Sequence, residues 1–172
     1  MILGLLSDTH NHLRAARQAL ALLRQGGAEH LVHCGDSGAD VLDLLSAECQ
    51  ARHIRAHVAL GNCDESFALS AAYAPQPAGL TIALAPQFQL DGCSMAVAHG
   101  DDFHLVEALL TAQTLDMLFV GHTHRPSCHT EGRTLVVNPG SPARPRNGIP
   151  TVALLDTASR TPQWIALDAA NL

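Results

Sequence analysis

Five short polar motifs, each directly after an apolar stretch, contain seven side chains of the types that bind metal ions. The motifs are Asp8-Thr9-His10, Gly35-Asp36, Gly61-Asn62-Cys63-Asp64, His99-Gly100 and Gly121-His122-Thr123-His124. Residues two apart in extended backbone point to the same side, so Asp8 and His10 can hold one ion together. His122 and His124 have the same spacing. Carboxylate and imidazole ligands suit Mn, Fe, Zn, Ni or Co better than Ca, which binds oxygen ligands.

The apolar stretches predict the strands and helices that position these motifs. Strands are expected at 2–6, 30–34, 54–60 and 117–120, helices at 13–25, 39–50, 66–73 and 105–112, and a loop at 74–79. Hairpins are expected at 88–90 with 94–98 and around Glu131-Gly132 before 135–137, and closing strands at 151–155 and 164–167. Alternating strands and helices are typical of a parallel sheet, whose ligands bind outside the carboxyl ends of the strands. The five motifs should therefore converge.

The length predicts one domain over residues 1–172, and the pattern of strands and helices predicts an α/β architecture of two packed sheets flanked by helices. A chain of 172 residues can bury about 70% of its unfolded surface. The core must consist of Leu, Val, Ala and Ile, because 47% of the residues are hydrophobic but only 3% are aromatic. A net charge of −6 argues against general nucleic-acid binding, which requires a basic surface. No apolar run approaches the ~20 residues of a membrane span.

The cysteines indicate a reducing compartment. Their number is odd, no two of them form a CxxC pair, and no export signal is recognisable before them; they are Cys34, Cys49, Cys63, Cys93 and Cys128. This pattern favours free thiols over a disulfide framework or a structural zinc site. We therefore expect a cytoplasmic protein.

Taken singly, the motifs have ordinary structural explanations. A lone Asp-x-His at the end of a strand is usually structural or incidental, and Gly-Asp and Gly-Asn are common turn dipeptides. Gly-His-Thr-His is more informative than these, because metal binding and a structural role are about equally expected for it. The ordered set is the informative feature, because five coincidences at successive strand ends are improbable together.

The series D-x-H, G-D, G-N-C-D, H-G and G-H-T-H resembles that of the calcineurin-like metallophosphoesterases, and in particular the small bacterial and archaeal YfcE-type phosphodiesterases. The resemblance runs from residue 1 to about residue 146 and includes the segment Asn138-Pro139-Gly140-Ser141. It implies a four-layer sandwich of two mixed β-sheets flanked by helices. It also implies two metal sites, one formed by Asp8, His10, Asp36 and His124 and the other by Asp36, Asn62, His99 and His122, with Asp36 bridging.

The same resemblance implies a metal-dependent phosphodiesterase that hydrolyses a small phosphodiester. Two divalent ions are expected, Mn first, with Ni, Fe, Co or Zn as alternatives, and a hydroxide that bridges them would attack phosphorus in line. The candidate catalytic residues are Asn62, Cys63, Asp64 and His99. The alternative is a metal-binding protein-interaction scaffold of the same fold with weak or no catalysis. A homo-oligomer is compatible with either function.

Three positions beside the ligands leave the chemistry open. Many relatives have histidine where Cys63 stands, so this thiol, with an ordinary pKa of about 8.5, either protonates the leaving group or only packs. Asp64 orients a histidine or a turn, or forms a plain Asx-turn. Asp101 stands where close relatives often have histidine, and we expect it to make the rim of the pocket more acidic.

Three further residues outside the motifs have both a structural and a functional interpretation. Asn11 is expected to cap the helix at 13–25 in preference to contacting phosphate. Ser141 and Arg146 either line the pocket or serve as a turn residue and a solvated charge.

Overall fold

The computed structural model describes residues 1–64, 76–146, 148–168 and 170. The strands in these ranges are β1 Ile2–Leu6, β2 His30–His33, β3 Ala56–Ala59, β4 Leu80–Ala83, β5 Gln87–Leu90, β6 Cys93–Val97, β7 Met117–Phe119, β8 Ser127–Glu131, β9 Thr134–Asn138, β10 Thr151–Asp156 and β11 Thr161–Ala166. The helices are α1 Leu13–Gln25, α2 Ala39–Arg52 and α3 Phe103–Thr111, and Asn62–Asp64 forms a short 3-10 turn. Within the same ranges, no helix is long and apolar enough to cross a membrane.

The strands form two mixed sheets. The larger sheet has the order β11-β10-β1-β2-β3-β4, and the smaller has the order β5-β6-β7-β9-β8. Strands β1 to β4 are parallel, and β10 and β11 extend this sheet in antiparallel fashion. In the smaller sheet β6, β7 and β9 are parallel, with β5 and β8 as antiparallel edges. The predicted fold class is confirmed.

Alternate residues of the parallel strands belong to different layers of the core. Leu3 and Leu5 of β1 pack between the two sheets with Phe119 of β7, while Leu6 packs among the residues of α1 and α2. Helix α3 covers the outer face of the smaller sheet, where Leu110 contacts the cluster that contains Leu118. Because strand side chains alternate between faces, each sheet is apolar on both sides. The result is a helix–sheet–sheet–helix sandwich.

Several predicted boundaries need correction. Strand β4 was not predicted, because it is a four-residue edge strand whose outward residue Thr81 is exposed. Strands β2 and β3 are shorter than expected. Helix α2 is longer, ending where His53 takes the left-handed conformation (φ 55°) that usually favours glycine. The helix predicted at 66–73 and the start of the loop predicted at 74–79 lie outside the described residues.

The predicted cap of α1 is also wrong. The side chain of His12 accepts the hydrogen bond from the backbone N–H of Ala15 and so caps α1. Asn11 instead exchanges hydrogen bonds with Asp40 in the first turn of α2, at 2.9 and 3.0 Å. Its carbonyl oxygen thereby satisfies a backbone donor of a helix distant in sequence, an arrangement that no local pattern could indicate.

The layer between the sheets should dominate the stability of this fold. We expect Phe119→Ala to lower the free energy of unfolding by about 4 kcal/mol, because it leaves a cavity in a fully buried layer. Phe103→Ala is the matched control: its ring is 70% exposed, so the loss should stay below about 0.5 kcal/mol. Urea denaturation followed by circular dichroism measures both, and equal losses would contradict the packing described.

Candidate metal centre

The five motif loops converge at one edge of the sandwich, where the carboxyl ends of β1, β2, β3, β6 and β7 lie together. Backbone hydrogen bonds join the loops in pairs. The N–H of Asp8 donates to the carbonyl of Gly35 at 3.0 Å, and the N–H of Gly121 donates to the carbonyl of His99 at 2.9 Å. The N–H of His122 donates to the Asp8 carboxylate at 3.1 Å and so connects the two sheets.

Five of the seven candidate ligands have a left-handed backbone: φ is 53° at Asp8, 45° at His10, 55° at Asp36, 63° at His122 and 57° at His124. This region is uncommon for residues other than glycine and costs on the order of 1 kcal/mol or more at each position. Such strain persists only where the surrounding contacts impose it, and it clusters at functional sites. The loops therefore keep side chains at positions where glycine would be less strained.

Two glycines allow the strands to approach the ligands closely. A Cβ atom on Gly61 would lie 2.3 Å from Oδ1 of Asp36, and one on Gly35 would lie 2.6 Å from Nδ1 of His99. Both distances are too short for real atoms, so any side chain here would displace a candidate ligand.

The carboxylate of Asp36 lies between histidines from opposite sides of the centre. Its Oδ1 is 3.4 Å from Nε2 of His99, and its Oδ2 is 3.8 Å from Nδ1 of His10. The backbone N–H of Cys63 donates to Oδ1 at 2.8 Å. The two oxygens thus face different imidazoles, which is the arrangement that a bridging carboxylate needs.

Two imidazoles are oriented by backbone carbonyls. Nδ1 of His99 lies 2.9 Å from the carbonyl of Cys34, and Nδ1 of His124 lies 2.6 Å from the carbonyl of Arg144. A carbonyl can only accept, so Nδ1 carries the proton in both rings and Nε2 points to the centre. This second contact of a ring is the usual way in which a metal-binding histidine is fixed.

The Nε2 atoms bring the other candidates together. Nε2 of His124 is 3.3 Å from Oδ1 of Asp8 and 3.4 Å from Nε2 of His10. Nε2 of His99 is 3.2 Å from Oδ1 of Asn62. His122 lies at the margin: it is exposed, and its ring stands edge-on to that of His99 with 5.1 Å between centroids.

The donor set fits divalent metal ions. Three groups of ligand atoms lie within 4.8 Å of one another: Asp8 with His10 and His124, Asp8 with Asp36 and His99, and His10 with Asp36 and Cys63. Imidazole nitrogens and carboxylate oxygens in this combination suit first-row transition metals. The structure therefore brings together the residues that the sequence singled out, with Asn62 and His122 at its exposed margin.

The contact between His99 and Asp36 sets the charge of the centre. Burial alone would lower the pKa of His99, but the hydrogen bonds to Asp36 and to the Cys34 carbonyl raise it to about 9. Burial would raise the pKa of Asp36, yet the His99 and Cys63 contacts outweigh it and lower that pKa. A divalent ion on Nε2 of His99 would have to displace the proton there, so a lower pH would oppose metal binding at this ring.

Cys63 lies at the surface of the centre and not in the core. Its residue is exposed, and Nδ2 of Asn62 is 3.5 Å from its sulfur. Burial and the Asp36 carboxylate raise the pKa of the Cys63 thiol to about 11. The thiol is thus a weaker acid than its ordinary value suggests, and its role as proton donor stays a prediction.

The centre opens into a cleft of about 530 Å³ whose far wall is basic. Arg144 and Arg146 line it beside the candidate ligands, together with Pro145. The sequence pointed to Arg146 only; Arg144 follows the Asn-Pro-Gly-Ser segment closely, but its position depends on its carbonyl binding His124. Asp101 is exposed and does not line this cleft, so the expected acidic rim is wrong.

Of the two roles considered for Ser141, the structure supports that of a turn residue and not that of a pocket-lining residue. It is fully buried, and its hydroxyl donates to the carbonyl of Asp8 at 2.8 Å while accepting from the N–H groups of Ala143 and Arg144. It thereby fixes the turn that carries the basic wall to the loop of the first ligand.

Asp64 holds two loops together. Its buried carboxylate accepts hydrogen bonds from the N–H groups of Gly61, Ser37 and Gly38 at 3.0 to 3.2 Å, and from the Ser37 hydroxyl at 3.3 Å. These contacts join the loops after β2 and β3. They correspond to the expected orientation of a turn, and they position Asp36 and Asn62 indirectly.

Removing the Asp64 carboxylate should destabilise the protein even without metal. Asp64→Ala leaves four donors without their acceptor, so we expect the free energy of unfolding in EDTA to fall by about 3 kcal/mol. Asp101→Ala, at an exposed site, should change it by less than about 0.5 kcal/mol. Urea denaturation decides: similar values for both variants would show that the loop contacts contribute little.

The chain matches the calcineurin-like phosphoesterase superfamily domain over residues 1–160. It is 27% identical to a phosphodiesterase of Methanocaldococcus jannaschii, over 98% of this chain and all of the relative. It is 29% identical to the phosphodiesterase YfcE of Escherichia coli, over 84% of this chain and 80% of the relative.

Solved structures show the same fold. That of an archaeal phosphodiesterase superposes with a TM-score of 0.77 at 25% identity, covering 97% of this chain and all of the other. Vacuolar Protein Sorting 29 from Cryptosporidium parvum shares the fold with a TM-score of 0.64 at 17% identity, over 96% and 95% of the two chains. The matches confirm the resemblance and the enzyme class inferred from the five motifs, a hydrolase of phosphoric esters. The chain belongs to the calcineurin-like phosphoesterase superfamily.

Proposed function

We propose that this chain is a phosphodiesterase that works with two divalent metal ions, Mn being the first expectation and Ni, Fe, Co or Zn the alternatives. The observation that carries the proposal is the Asp36 carboxylate, whose two oxygens face His99 and His10 separately. One ion would be held by Asp8, His10, Asp36 and His124, and the other by Asp36, Asn62, His99 and His122. His122 would have to turn inward from its exposed position to join the second set.

When bound, such ions activate water as the nucleophile and neutralise charge on the phosphate. The protein supplies the positions of the groups around them. Nδ1 of His99 and of His124 stay bound to carbonyls, so neither ring can rotate away from the centre. Asn62 offers a neutral oxygen, which leaves more positive charge at its ion than a further carboxylate would.

Arg144 adds a fixed positive charge to the cleft. Its guanidinium contributes to lowering the pKa of His10, whose main cause is burial. The positive charge therefore reaches the centre itself. In a protein with a net charge of −6, a local positive wall is what attracts an anionic ester.

The size of the cleft and the charge of the protein favour a small phosphodiester over general nucleic-acid binding. The cleft of about 530 Å³ falls in the range typical of small-molecule sites. A cytoplasmic location is part of the proposal and is supported by the five free cysteines, three of which are buried.

Reconstitution with single metals tests the proposed activity. We expect EDTA-treated protein to be inactive, and Mn, Ni, Co, Fe or Zn to restore hydrolysis of bis(p-nitrophenyl) phosphate above that of p-nitrophenyl phosphate. Asp36→Asn should lose about 100-fold or more, because one oxygen of the bridging group becomes an amide nitrogen. Asp101→Asn, which removes the same charge from an exposed site, is the control and should retain activity.

Cys63 should limit hydrolysis of esters with poor leaving groups. Its thiol, with a pKa of about 11, is a poor proton donor near pH 7, where an imidazole works best. We expect Cys63→His to raise kcat/KM about tenfold or more for alkyl diesters and little for aryl diesters. Cys128→His, at the other exposed cysteine, is the control. Equal gains in kcat/KM for alkyl and aryl diesters would show that position 63 does not take part in protonating the leaving group.

A metal-binding interaction scaffold is the second candidate function. An apolar groove of about 300 Å³ beside α3 favours it, since Phe103 is 70% exposed there and Val106 and Leu110 line the same groove. The reconstitution assay separates the two functions. Metal binding without turnover of any monoester or diester, with every ion, would favour the scaffold.

A further inference from the structure

A second cleft of about 570 Å³ adjoins the metal centre, and the described residues that line it are all neutral or basic. It is lined by His122, Thr123, Arg125, Ser127 and Arg146. His122 and Arg146 also line the metal cleft, so the two clefts share a wall. Hydroxyl and guanidinium groups without a carboxylate among them form an environment for an anion.

The arginines of this region are not paired with acidic side chains. Elsewhere Arg133 and Arg160 both contact Asp116 within 4.0 Å, whereas the exposed arginines 14, 17, 24 and 55 have no ion pair among the described residues and are scattered outside these clefts. Among the described residues, no carboxylate comes within that distance of the guanidinium groups of Arg125, Arg144 or Arg146. The chain has ten basic residues, all of them arginine, and sixteen acidic residues. Three unpaired arginines at the two adjoining clefts are therefore a concentration of free positive charge.

We infer that the substrate carries a second phosphate besides the scissile one, and that Arg125 and Arg146 bind it in the second cleft. The inference rests on the proposed function, because it uses the metal centre as the place of the scissile phosphate. Arginine forms paired hydrogen bonds to phosphate oxygens, and the hydroxyls of Thr123 and Ser127 can donate as well. Arg146, which borders both clefts, would contact the chain of atoms between the two phosphates.

The two phosphates must be separated by a spacer. Each cleft is larger than a single phosphate group, and His122 and Arg146 line both clefts. A phosphoanhydride would hold both phosphorus atoms close together in one cleft, whereas a sugar or a similar alcohol can extend from one cleft into the other. The substrate class is thus a phosphodiester whose alcohol bears a further phosphate monoester, as in an ester formed on one phosphate of a nucleoside bisphosphate.

A pair of esters that differ only in that group tests the inference. The pair is thymidine 5′-(p-nitrophenyl phosphate) with and without a 3′-phosphate. We expect the 3′-phosphate to raise kcat/KM of the Mn-loaded protein about tenfold through a lower KM, which is the size of one charge-assisted contact. Arg125→Gln should abolish this preference, and Arg17→Gln, an exposed arginine of α1, should preserve it.

Binding without turnover gives an independent measurement. By calorimetry, thymidine 3′,5′-bisphosphate should bind about tenfold tighter than thymidine 5′-monophosphate, and Arg125→Gln should remove the difference. Equal affinities, or a preference that survives Arg125→Gln, would overturn the inference whether or not the protein is a phosphodiesterase. Stimulation of the unphosphorylated ester by free inorganic phosphate would assign the cleft to a separate anion and would overturn it too.

A further outcome is that the protein hydrolyses neither ester and still binds the bisphosphate more tightly through Arg125. This result would contradict the phosphodiesterase and support the second cleft as a phosphate site. Hydrolysis of both esters at equal efficiency would do the reverse.

Discussion

The position of the Asp36 carboxylate is the constraint on which the centre depends. Its two oxygens must face His99 and His10 at once, and these histidines follow strands of different sheets. The separation of the sheets is therefore part of the site. It is set by the apolar layer between them, in which Leu5 and Phe119 are fully buried. A rigid, closely packed interior transmits small shifts, so packing distant from the site sets how the two oxygens of Asp36 face these histidines.

The same contact explains why the loops tolerate strain. Asp36 has a left-handed backbone (φ 55°), yet the Cys63 N–H and the Asp64 carboxylate hold its neighbourhood from the adjacent loop. Several hydrogen bonds, each worth about 1 kcal/mol, outweigh a local cost of similar size. Ligand placement is thus stabilised by residues that do not themselves touch the centre, and Asp64 is the clearest of these.

The sequence predicted most of the framework because its signals are local. Apolar runs ending in polar motifs indicated β1, β2, β3, β6 and β7, and parallel strands have their carboxyl ends at one edge. Contacts between residues distant in sequence could not be predicted in this way. Nothing near Asn11 shows that it binds Asp40, and nothing near Arg144 shows that its carbonyl fixes His124. Strand β4 was missed because four residues at an edge carry too little pattern.

The fold alone does not decide between catalysis and scaffolding, since an archaeal phosphodiesterase and a vacuolar sorting protein share this architecture. Function has to be argued from the site. A scaffold needs metal ligands and an apolar surface, but it gains nothing from two arginines that line one cleft beside the metal site, because like charges oppose one another. The position of Arg125 and Arg146 in one cleft is better explained by an anionic substrate, whose negative charge would offset theirs. The charge distribution beside the candidate metal site therefore favours catalysis. The candidate ligands alone are compatible with both catalysis and scaffolding.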